Sequence, residues 1–210
     1  MFTPTVFFEG LKASSPFMAY VGFIALFALL GFLIKFIDDA FDEGVFNKKV
    51  AVVLAPIAGI LWALAMMATP ISATILAAIM IGVLISGKLD NLAFWVVGVS
   101  IVAVLFFFGI PEFLLIPLVV LVIAAFLDEL GNDFFDKLGI EDAVHPIIYY
   151  FFYYRLTLKL VLAYFVFFQG FSIIYLIALL AFSAAYYALG MYSSKATKKW
   201  GTRLGNSLEF

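Results

Sequence analysis

An all-α, polytopic transmembrane helical bundle of about seven spans is the fold that this sequence predicts, on three observations. The 210 residues are 66% hydrophobic and 12% charged, whereas a soluble domain carries about 45–50% apolar and about 25% charged residues. The apolar residues gather into seven runs separated by short polar connections. Finally, alternate crossings place Lys35, Lys48, Lys49, Lys88, Lys137, Lys195, Lys198, Lys199 and Arg203 on one side and only Lys12 on the other.

The runs cover residues 17–37, 50–68, 71–86, 91–110, 113–127, 147–168 and 171–191. A helix needs about 20 residues to cross a hydrocarbon core about 30 Å thick. The third and fifth runs are short by that measure, and a six-crossing bundle with one re-entrant segment is the alternative. The first run lacks a charged flank and a small-residue cleavage site, so it is expected to stay in the protein as a helix. Pro56 and Pro117 fall inside the second and fifth runs, where a missing amide donor can kink a helix. Ala55/Gly59, Ala73/Ala77 and Ala78/Gly82 have the four-residue spacing that permits close helix approach. Residues 1–16, with Phe2, Phe7 and Phe8 beside Glu9 and Lys12, suit an interfacial segment. Residues 1–200 form one integral membrane domain, and 201–210 read as a flexible tail.

The positive-inside rule sets the expected location, a multi-pass protein of the cell membrane with its N-terminus outside and its C-terminus in the cytoplasm. There is no cysteine and a single histidine, His145, which excludes disulfides, thiolate sites and a multi-histidine zinc site. The bilayer is the expected partner. No basic surface suited to nucleic acid is present, and the oligomeric state is not encoded in any pattern.

Chemistry concentrates in two acidic connections that follow odd-numbered runs and therefore share a face. Asp38/Asp42 and Asp39/Glu43 are four apart, as are Glu129/Asp133 and Asn132/Asp136, with Asp128 adjoining. Like charges at that spacing repel unless a cation sits between them, and hard oxygens suit Mg²⁺ or another divalent cation. Ordinary solvated helix ends are the competing explanation. A partial repeat relates the two: Phe36-Ile37-Asp38-Asp39 recurs as Phe126-Leu127-Asp128-Glu129. Arg155 and Lys159 are also four apart, behind a run of aromatic residues. In a continuous helix they would lie roughly 12 and 18 Å from Ile147. Charges at such depth must face partners or a watery cavity, which makes the pair candidates to bind an anion, with simple ion pairing as the alternative.

At these residues the chain resembles a family. Asp38-Asp39-Ala40-Phe41-Asp42 reads DDxxD and Asn132-Asp133-Phe134-Phe135-Asp136 reads NDxxD, similar to the aspartate-rich motifs of the UbiA-type intramembrane prenyltransferases. The resemblance implies Mg²⁺ held by Asp38, Asp39, Asp42, Asp128, Glu129, Asp133 and Asp136, with a prenyl diphosphate or other lipid-linked phosphate bound by Arg155, Lys159 and Asn132. It also implies transfer of a prenyl or phospho group. The chain departs from the family in being shorter than nine helices and in the order of its two motifs. A transporter or channel, and a non-catalytic scaffold whose charges only set topology, are the other two readings.

Overall fold

The computed structural model describes Gly10, Ala13 and residues 15–88, 91–138 and 146–207. Those residues form helices joined by short connections, with no strand among them: α1 (Pro16–Phe41), α2 (Lys48–Met66), α3 (Pro70–Ile85), α4 (Leu92–Phe108), α5 (Leu115–Leu138), α6 (Pro146–Tyr153), α7 (Leu156–Phe168) and α8 (Ile173–Ser207). The interfacial segment expected at residues 1–16, and His145, lie outside the described residues apart from Gly10, Ala13, Ser15 and Pro16.

The helix ends are written in short-range chemistry. Pro16 and Pro70 open α1 and α3, where a helix has no use for an amide donor. The side chains of Asn47, Thr69 and Asn91 accept bonds from the amides of Lys49, Ser72 and Phe94 and so cap α2, α3 and α4. Gly87 and Gly109, both with positive φ, close α3 and α4. Fewer than about seven of these helices meet the length of a full crossing on their own. α1, α2, α5 and α8 are long and apolar enough to cross a membrane, and the pair α6 and α7 makes a fifth only if taken as one broken span. The 16 residues of α3 and the 17 of α4 extend about 24–26 Å, short of the full hydrocarbon thickness. In contrast α5 continues eleven residues past the apolar run, through both acidic pairs, because helical geometry persists where hydrophobicity stops. Pro117 therefore sits in its first turn rather than at a mid-span kink. α8 runs through Ser207.

Six helices close a ring. In the order α1, α2, α3, α5, α7, α8 each packs on the next, and α8 returns to α1; α4 packs on α2, and α6 on α5 and α7. The small-residue spacing explains how closely the ring is drawn. Gly31 of α1 lies so near the Phe182 carbonyl of α8 that a Cβ would collide with that backbone, and Gly59 and Gly82 meet Val97 and Ala125 as closely. Phe27, Leu30, Ile37, Ile75, Leu76 and Leu162 are fully buried. Outward the surface is apolar: Phe17, Phe106, Phe107, Ile116 and Phe168 are each at least 74% exposed, a belt that only lipid covers favourably. Gly31→Leu is expected to destabilise the bundle by about 3 kcal/mol or more, because backbone cannot yield to the added side chain; reversible unfolding in mixed micelles checks this.

Candidate binding cavity

The sixth apolar run is not one helix. It breaks at Tyr154–Arg155, where α6 and α7 meet at 70° and Arg155 adopts a left-handed φ of 47°. A helix broken among apolar neighbours leaves backbone groups without partners, and side chains from three elements supply them. Asp128 of α5 accepts from the amides of Thr157 (2.9 Å) and Leu158 (2.8 Å), capping α7. The Tyr187 hydroxyl of α8 donates to the Tyr153 carbonyl (2.9 Å). The Lys159 ammonium donates to the carbonyls of Tyr154 (2.6 Å) and Arg155 (3.1 Å). The depths expected for Arg155 and Lys159 from a continuous helix do not hold, because both sit at or beside the bend.

Around this bend charges pair across the bundle. Glu129 lies 2.6 Å from the Lys88 ammonium and accepts a bond from an Arg155 terminal nitrogen at 3.1 Å. The Arg155 Nε lies 2.8 Å from the other Glu129 oxygen, in ion contact but out of line for a hydrogen bond. Lys88 also meets Asp133 at 2.7 Å. Burial works against the Lys88 charge, but these two carboxylates outweigh it and hold the ammonium above its ordinary range. On α1, Lys35 takes up Asp38 (2.9 Å) and Asp39 (2.8 Å). Tyr186 of α8 joins the two groups: its hydroxyl donates to Asp38 at 3.2 Å, and its ring lies 5.2 Å from the Arg155 guanidinium and 5.1 Å from the Lys35 ammonium.

These groups form one end of a cavity of about 800 Å³, within the range of small-molecule sites. Asp38, Asp42, Glu129, Asn132, Asp133, Arg155 and Lys159 line it, so seven of the ten residues expected at a site share one space. Asp39 and Asp128 do not line it; Asp39 is 1% exposed within the packed helices, and Asp128 is spent on the α7 cap. The Asp136 side chain lies outside the described residues. Lys35, Lys88, Tyr186 and Tyr187 line the cavity too and were not anticipated as site residues. Lys35 was within reach of the sequence argument, three and four residues before the aspartates it neutralises. Away from this end the wall is apolar, from Ile34, Trp62, Met80 and Leu84 to a stripe of α4.

Between Glu129 and Asp133 the expected cation is, in this structure, the Lys88 ammonium. Among the described residues no three His, Cys, Asp or Glu side chains gather to hold a metal ion, and Asp38, Asp39, Glu129 and Asp133 already face protein cations. No protein-family model, curated protein or solved structure matches the chain.

Proposed function

We propose that this is a multi-pass membrane protein whose cavity binds an amphiphile with a phosphate head, the head at the charged end and the chain along the apolar wall. The observation that carries this reading is the joining of both surfaces in one space. Lys159 adds to it: an ammonium has three donors, two are spent on backbone carbonyls, and among the described residues no carboxylate lies within salt-bridge distance. A bound phosphate supplies an anion closer than the Asp128 carboxylate, whose charge reaches Lys159 from beyond ion-pair distance, and Arg155 adds a fixed guanidinium beside it. The reading assigns binding of the head and the chain. A transporter is the second reading, favoured by the broken α6–α7 pair, because interrupted helices mark midplane sites in transporters.

Titrating dodecyl phosphate into the protein in maltoside micelles tests the proposal, with the indoles of Trp62 and Trp95 in the cavity wall as reporters. Saturable quenching is expected, and Lys159→Gln is expected to weaken binding about tenfold, the loss of one charge-assisted hydrogen bond. Quenching that never saturates, or that Lys159→Gln leaves unchanged, contradicts it. The reading also places the charged end in the cytoplasm with α3 and α4 crossing in a locally thinned bilayer, seven crossings in all. A cysteine replacing Thr5, in a chain with no other, is expected to react with an impermeant reagent only from outside.

A further inference from the structure

The cavity's apolar wall reaches the lipid-facing surface. Trp95, Gly98, Val99 and Val102 recur at three- and four-residue spacing, so they form one stripe of α4, and all four line the cavity. Trp95, Val99 and Val102 are 55–65% exposed, and Leu84, which meets the same space from α3, is 50% exposed. Residues that are both cavity wall and outer surface mark a mouth, and this mouth is made of apolar side chains within the membrane belt. The helix that carries the stripe, α4, packs on α2.

Gly98 is the second observation. A glycine inside a helix costs about 0.5–1 kcal/mol relative to alanine, and Gly31, Gly59 and Gly82 each return a close helix contact for it. Gly98 returns none: a Cβ there meets nothing within 4 Å. Its lack of a side chain leaves open space along this wall of the cavity, the passage behind the mouth.

Resting on the binding reading above, we infer that the stripe over Gly98 is a lateral portal, through which a single-headed membrane lipid of the phosphate class enters from the bilayer and leaves its chain in the passage. An apolar doorway selects against a free, water-soluble phosphate compound, which shares the head but has no chain to place there.

Butyl phosphate and dodecyl phosphate, which differ only in chain length, separate the two sources when titrated in maltoside micelles. The wild-type protein is expected to bind the dodecyl compound at least about tenfold more tightly, since each added buried methylene contributes. Gly98→Phe removes a helix-weakening residue and fills open space, so folding is expected to hold. It is expected to weaken dodecyl phosphate at least about tenfold while changing butyl phosphate less than about twofold. Val102→Trp, one turn along the same stripe, is expected to do likewise. Dodecyl binding untouched by both variants, or equal wild-type affinity for the two probes, overturns the portal and leaves head binding standing. Wild-type protein that binds neither probe overturns head binding and the portal together.

Discussion

Replacing Glu129 with alanine is expected to lower the stability of the bundle in mixed micelles by about 3–5 kcal/mol, the largest loss in the charged network. The carboxylate side chain is 6% exposed and is met by Lys88 at 2.6 Å and by Arg155 at 2.8 Å. Its removal leaves two cations facing each other, Lys88 with only the more exposed Asp133, Arg155 with the Tyr186 ring. Glu129→Gln keeps the shape and the acceptor oxygen, and is expected to fall between wild type and alanine. Arg155→Gln strands less, because Lys88 still neutralises Glu129, so its main effect is expected on dodecyl phosphate binding. Unfolding free energies for the three variants check the order; equal stability of Glu129→Ala and wild type contradicts the geometry of the network.

Asp128→Ala is expected to cost about 2–3 kcal/mol, more than an exposed helix cap, because a buried carboxylate bonded to two amides is charge-assisted. It removes the partners of the Thr157 and Leu158 amides at the start of α7. In water those amides would be solvated; inside the bundle the loss of their acceptor leaves them with the cost of unsatisfied donors. Loss of the cap is expected to loosen the bend itself, raising amide hydrogen exchange at the start of α7 while the contacts of α1 with α8 stay protected. Uniform protection across α7 in the variant contradicts the assigned role.

The class of the fold and most of the cavity's polar end were readable from spacing. Asp38, Asp42, Glu129 and Asp133 were found because a four-residue interval puts side chains on one helix face, and Arg155 and Lys159 because charges in an apolar run need a polar setting. What spacing could not carry is the identity of their partners. Lys88 lies 41 residues from Glu129, and Tyr186 lies 148 from Asp38, distances closed only by the ring of helices. The break at Tyr154–Arg155 has neither glycine nor proline to announce it. Its cause is tertiary, the convergence of Asp128, Tyr187 and Lys159 on the exposed backbone. Hydropathy placed the ends of α3 and α4 within two residues, and it misjudged α5, whose helix continued past its apolar stretch.

The central claim is that an amphiphile's head and chain occupy the space between the Arg155 end and α4. The cysteine-free chain allows a direct measurement with two single-cysteine variants, one replacing Ser183 in the cavity wall and one replacing Ser194 on the exposed side of α8. Labelling each with a small thiol reagent in maltoside micelles, with and without dodecyl phosphate, reads occupancy at the site itself. The account predicts that dodecyl phosphate slows labelling at position 183 at least about tenfold, as expected for a saturated site, and leaves position 194 unchanged. Equal labelling of position 183 with and without the amphiphile would contradict it.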